Sequence, residues 1–179
     1  MDLADPTFVM VMGVSGSGKT SIAQRLSVAT GWPYVEGDDF HPAANIAKMR
    51  AGIPLTDEDR WPWLDAVGAW ISAHEVRGDS AVITCSALKR SYRDRLRAGR
   101  SGVRFLMLTV PVEELRRRVA HRPGHFMPAS LLASQLETLE PLQPDEDGIV
   151  VDASGDPDAV LAAALSALGL SSATQADRA

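Results

Sequence analysis

The segment that most constrains this chain is residues 13–20, GVSGSGKT, placed directly after the apolar run TFVMVM of residues 7–12. It matches the pattern G-x-x-x-x-G-K-[ST], in which glycines let successive backbone N–H groups converge on an anion. The lysine adds a mobile cation, and the final hydroxyl can join a divalent metal. Such a loop works between a buried strand and the N-terminus of a helix, whose dipole faces the same anion. Both flanks are present. TFVMVM is continuously apolar after its first residue, as in a strand covered on both faces. From Lys19 to Thr30, Ile22, Ala23, Leu26 and Ala29 recur at helical spacing, and Gly31, Trp32 and Pro33 stop the helix. An accidental Gly/Ser-rich turn would lack these flanks, and the dinucleotide pattern G-x-G-x-x-G is missing and would leave Lys19 without a role.

The rest of the chain repeats the alternation. Residues 33–36 read as a short strand, AVITC (81–85) and VRFLMLTV (103–110) as buried strands followed by helical segments, and GIVVD (148–152) as a last strand before the helix AVLAAALSAL. Between residues 40 and 77 strand signals fade and two helices are expected. The second starts near Asp57 to Asp59, with Trp63, Leu64, Val67, Trp70 and Ile71 on one face. This pattern predicts an α/β fold with a parallel sheet covered by helices, in one domain over residues 1–170. A helical insertion spans about 40–77, and the tail 171–179, without apolar anchors, is expected to be disordered. A length of 179 residues with 45% hydrophobic content suits one core. The net charge of −5, with basic residues dispersed among acidic ones, argues against nucleic acid. A single cysteine, Cys85, precludes an intramolecular disulfide, and no apolar run of about 18 residues could span a bilayer. The acidic start MDLADP does not read as a signal peptide, so a cytoplasmic protein is expected.

Gly13, Val14, Ser15, Gly16, Ser17, Gly18, Lys19 and Thr20 are the expected ATP-binding residues, with Lys19 at the β- and γ-phosphates and the Thr20 hydroxyl on Mg²⁺. The second strand ends in YVEGDDFHP, which carries Glu36, Asp38 and Asp39 toward the same sheet edge. Phosphoryl transfer needs one carboxylate to take the proton of the attacking hydroxyl and others near the metal. Asp38 is the expected base, Glu36 and Asp38 the expected metal contacts through water, and Asp39 the next candidate or a helix-capping acid. Residues 116–128, RRRVAHRPGHFMP, join an arginine-rich helix to a Pro/Gly segment and read as a lid over about 118–128. Arg116 and Arg117 are expected to face water and His125 to be structural. His41, His121, His125 and Cys85 lack the paired spacing of a zinc site, and Cys85 reads as an inert buried thiol.

GVSGSGKT, GDDFHPAANIAKMRAGIPLTDEDRWPWL, CSALKRSYRDRLR and RPGHFMPASLLASQLETLEPL together resemble the gluconokinase family, from about Phe8 to Asp152. The first string is shared by many P-loop kinases; the second and third are specific to this family and its nearest relatives. The resemblance implies a nucleoside-monophosphate-kinase-like fold, ATP-dependent transfer to the 6-hydroxyl of D-gluconate, and a homodimer. It also implies sugar-acid contacts from His41, Asn45, Lys48, Arg60, Lys89 and Arg93, and catalytic arginines at Arg118 and Arg122 beside Lys19 and Asp38. Glu36 stands where an aspartate is frequent, and Trp61 where a polar residue is. The sequence lacks an obvious Walker B element, a hydrophobic run ending in aspartate, since AVITC leads into Ser86. The rival readings are shikimate kinase or another small-molecule P-loop kinase, and a non-catalytic nucleotide-binding module.

Overall fold

A computed structural model describes residues 5–121 and 130–172. Its strands are β1 (Phe8–Met12), β2 (Tyr34–Glu36), β3 (Ala81–Thr84), β4 (Val103–Thr109) and β5 (Gly148–Asp152). They form one parallel sheet in the order β2-β3-β1-β4-β5. The helices are α1 (Lys19–Thr30), α2 (Ala43–Arg50), α3 (Asp57–Arg77), α4 (Arg90–Arg97), α5 (Val112–Ala120), α6 (Ser130–Thr138) and α7 (Pro157–Leu168). A single 3-10 turn, Gly37–Phe40, joins β2 to the insertion. The parallel α/β architecture read from the sequence is the one observed.

The continuous apolarity of β1 follows from its place at the centre of the sheet. Phe8, Met10 and Met12 face a layer that includes Trp63, Leu64, Val67 and Ile71 of α3 and Tyr92 and Leu96 of α4. Val9 and Val11 face the opposite layer, with Ile22 and Leu26 of α1 and Val160, Ala164 and Leu168 of α7. The two-residue alternation of a strand sends each neighbour to a different core, so neither face tolerates a polar residue.

The start of α3 has a local cause. Thr56 accepts from the backbone N–H of Asp59, and the Asp59 carboxylate accepts from the N–H of Thr56, a reciprocal capping box that satisfies two otherwise orphaned donors. Sequence and structure differ at the edges: Pro33, Cys85 and Val110 fall outside the strands. Trp70 is only half-buried, while Gly68 joins the buried face, where the Arg100 guanidinium lies close against it. Most of the expected lid and the tail from residue 173 lie outside the described residues.

For function, the strand order matters most. β3 lies between β2 and β1, with Glu36 and Val11 both level with Thr84. The carboxyl ends of β1, β2 and β3 therefore meet in one crevice, the position where open parallel sheets bind ligands.

Candidate active site

The loop after β1 turns back on itself at Gly13, whose φ of 142° is disfavoured for other residues. A Cβ there would stand 2.7 Å from Ser17 Oγ and 2.9 Å from the Leu108 carbonyl oxygen, so space as well as torsion requires glycine. The loop ends at Gly18, and α1 begins at Lys19, with its dipole directed at the concave side. Lys19 Nζ donates to the Val14 carbonyl at 3.0 Å, which holds the ammonium over the loop. The Thr20 hydroxyl donates to Glu36.

Glu36 gathers three hydroxyls, from Thr20, Tyr34 and Thr84. Burial by itself raises its pKa, but the hydroxyls and the charge of Lys19 outweigh burial and hold the carboxyl below its ordinary value. Burial and the adjacent carboxylate push the Tyr34 phenol up, so it stays a donor. Glu36 is thus a fixed anion beside Thr20. The next turn must pass close to β3: the Gly37 N–H donates to Thr84 Oγ1 at 3.2 Å, and a Cβ on Gly37 would lie 2.0 Å from the Thr84 carbonyl oxygen. That approach delivers Asp38 into the pocket, with its side chain 42% exposed and Oδ1 3.9 Å from His41 Nε2.

One pocket joins these groups. It is lined by Ser15, Gly16, Gly18, Lys19 and Thr20 of the loop and the start of α1, by Glu36, Asp38 and His41 after β2, by Met49, Pro54, Leu55, Arg60 and Trp63 of the insertion, by Ser86, and by Leu131, Ser134 and Gln135 of α6. The His41 ring stacks on Trp63, with centroids 4.2 Å apart and planes 17° from parallel, and Trp63 Nε1 donates to the Gly37 carbonyl at 2.8 Å. Burial, then the charge of Arg60, push the imidazole down to about 4, so His41 is neutral near pH 7. Arg60 reaches the Leu55 carbonyl at 3.4 Å through Nη2 and lies over the Tyr92 ring. Its Nε is buried without a hydrogen-bond partner among the described residues.

Of the six residues expected to contact the sugar acid, only His41 and Arg60 line the pocket. Lys48 is paired with Asp59, at 2.9 and 2.8 Å to its two carboxylate oxygens. Lys89 is paired with Asp57, which also accepts from Tyr92. Asn45 is buried and donates to the Asp59 carbonyl at 2.8 Å. Arg93 departs furthest from expectation. It is fully buried, forks onto Glu146 at 2.6 and 2.9 Å, and donates to the carbonyls of Ala87, Leu88, Glu140 and Pro141. Ala87 has φ of 43°, a strained torsion for a residue with a Cβ. Arg93 therefore braces the turn that carries Ser86 to the pocket, and its donors are saturated by protein acceptors.

Arg118 lies against the loop rather than inside the pocket: it bonds Glu114, the Gly16 carbonyl at 3.4 Å and the Ala153 carbonyl at 3.1 Å. Arg116 and Arg117 are exposed, as expected. Arg122 and His125 lie outside the described residues. Cys85 is buried, its thiol pushed up to about 12 by burial.

The sequence reading missed Gln135, whose Oε1 accepts from the Ser15 N–H at 2.6 Å. It sits one helical turn beyond Leu131 on the buried face of α6, and a polar residue in that apolar stripe was the available signal.

A helix-capped anion loop with a lysine and a hydroxyl, facing a carboxylate across a pocket walled by a neutral histidine and an arginine, places this chain among the P-loop kinases. A family model described as an AAA domain matches residues 8–142. The chain is 50% identical to gluconokinase of Gluconobacter oxydans over 156 residues, covering 87% of this chain and 88% of that protein. It is 46% identical to the thermosensitive gluconokinase of Escherichia coli over 148 residues, covering 83% and 79%. Among solved structures, a gluconokinase from Sinorhizobium meliloti superimposes with a TM-score of 0.83 at 46% identity, covering 92% of this chain and 93% of that one. A shikimate kinase from Aquifex aeolicus shares the fold at a TM-score of 0.58 and 15% identity. The chain belongs to the gluconokinase family.

Proposed function

We propose that this protein transfers the γ-phosphoryl group of ATP to the 6-hydroxyl of D-gluconate, giving 6-phospho-D-gluconate and ADP. The observation that carries the reading is the pocket itself, which the phosphate loop, Asp38, His41 and Arg60 line together. Similarity to gluconokinases at 46–50% identity supports the choice of acid. Asp38 takes the proton of the 6-hydroxyl as its oxygen forms the new bond to the γ-phosphorus and the bond to the β–γ bridging oxygen breaks, releasing ADP. Lys19 and the loop N–H groups neutralise charge on the transferring group and hold it in line. Arg60 pairs with the carboxylate of the acid, and His41 offers a hydrogen bond to a hydroxyl.

Thr20, Glu36 and Asp38 provide oxygen donors suited to Mg²⁺, directly or through water. When bound, Mg²⁺ supplies charge neutralisation at the β- and γ-oxygens. The family resemblance also supports a role at the phosphoryl group for Arg118, which lies against the loop; Arg122 and the remainder of the expected lid lie outside the described residues. The same resemblance supports a homodimer working in the cytoplasm. No helix among the described residues is long and apolar enough to cross a membrane.

The test is ATP consumption with D-gluconate, shikimate and nucleoside monophosphates. Sites built to hydrogen-bond a substrate reject analogues lacking those groups by about 10⁴ or more, so gluconate is expected to exceed shikimate by at least roughly a hundredfold in kcat/KM. Faster turnover of shikimate or a nucleoside monophosphate would overturn the gluconate assignment and leave the kinase class standing.

A further inference from the structure

Asn45 holds the third position of α2, one turn from His41 and against the first turn of α3, and it is 4% exposed. Its Nδ2 lies 2.8 Å from the Asp59 carbonyl oxygen and 3.2 Å from His41 Nδ1. A backbone carbonyl can only accept, so the amide atom facing Asp59 is the nitrogen; the opposite orientation would set two acceptors against each other. The amide has two N–H bonds, and the second is directed to His41 Nδ1. An imidazole nitrogen that accepts a hydrogen bond carries no proton, which leaves the proton of the neutral ring on Nε2. The ring stacks on Trp63, and Nε2 lies 3.9 Å from Asp38 Oδ1, a gap longer than a direct hydrogen bond.

We infer that Asn45 is a positioning residue that locks His41 as the Nε2–H tautomer, so that a substrate hydroxyl beside Asp38 accepts from His41 while donating its own proton to Asp38. Asn45 therefore acts on the sugar acid through His41 and not by contact. The same amide ties α2 to α3, so the tautomer is set by the packing of the insertion before any ligand arrives. This inference deepens the reading of the pocket as a gluconate site, but its first test needs no substrate.

That test is long-range ¹H–¹⁵N correlation NMR on the ¹⁵N-histidine-labelled full chain near pH 7.5, with His41 assigned by comparison with His41→Gln. The expected spectrum shows a protonated Nε2 and an unprotonated Nδ1. A protonated Nδ1, or a mixture of tautomers, overturns the inference while leaving gluconate turnover untouched; failure of gluconate turnover with an Nε2–H ring sinks the proposed substrate instead. Asn45→Asp, close to isosteric, replaces the donor by an acceptor and is expected to move the proton to Nδ1. Gluconate kcat/KM should then fall by roughly tenfold to a hundredfold, the range for leaving a buried polar group unpaired, with the KM for ATP kept within about twofold. If Asn45→Asp does not fold, Asn45→Ala should give mixed tautomers in the same spectrum. An Nε2–H ring as uniform in a folded Asn45→Ala or Asn45→Asp protein as in the wild type would show that Asn45 does not set the proton.

Discussion

The two walls of the pocket are built by different means. On the phosphate side the chemistry belongs to the backbone: Gly13 sets the turn, and α1 opens at Lys19. On the acid side it belongs to side chains, and most of the charged ones are engaged within the protein, Lys48 with Asp59, Lys89 with Asp57 and Arg93 with Glu146. His41 and Arg60 remain facing the pocket. A site made of main chain is specified by local spacing, whereas a site made of side chains depends on which cations the surrounding carboxylates have already claimed. Lys48–Asp59 and Lys89–Asp57 tie down the insertion, and Arg93–Glu146 braces the turn that carries Ser86, all of them outside the pocket lining.

The largest expected effect lies where the walls meet. Asp38→Asn removes the proton acceptor and leaves the loop intact, so kcat should fall by about 10²–10⁴ while ATP affinity changes little. Unchanged kcat in steady-state assays would move the base elsewhere, with Asp39 next.

Arg93→Ala should act on stability and not on substrate recognition. Breaking a buried ion pair from one side costs about 3–5 kcal/mol, to be read from urea denaturation. Arg93→Met combined with Glu146→Leu removes both charges together but leaves the carbonyls that Arg93 served without that donor, so it should recover only part of that loss. A stable Arg93→Ala protein with a raised KM for gluconate would return Arg93 to the substrate side.

A smaller effect concerns pH. His41 has a folded pKa near 4 against an ordinary value of 6.5. Between those values the unfolded chain takes up a proton that the native ring refuses, so stability falls as pH drops from 6.5 to 4, and the contribution is level below that. The loss is at most about 3 kcal/mol. His41→Phe should flatten the stability profile in this window by that amount; an identical slope in both proteins would show that the ring is not held neutral by its surroundings.

The phosphate side and the alternation of strand and helix were legible because each depends on neighbours within a few residues: TFVMVM before GVSGSGKT, and Asp57 to Asp59 at the start of α3. The acid side was legible as an inventory but not as an arrangement. Glu146 is 53 residues from Arg93, Asp57 is 32 from Lys89, and Gln135 is 120 from Ser15. No periodicity links such pairs, because the sheet order and not the chain order brings them together. Asn45 shows the same limit: its identity fits a substrate contact as well as a buried brace, and its bond to the Asp59 carbonyl, 14 residues away, is written in no local pattern.

The central claim is that Arg60 and His41, and not the paired cations around them, receive the sugar acid opposite the phosphate loop. It is tested most directly by measuring kcat/KM for gluconate in Arg60→Ala and Lys89→Ala side by side. Loss of a charge-assisted contact predicts a fall of about tenfold to a hundredfold for Arg60→Ala with the KM for ATP nearly unchanged. Loss of a partly exposed ion pair predicts no more than about a fivefold change for Lys89→Ala. A full-sized loss in Lys89→Ala with Arg60→Ala close to wild type would contradict the account.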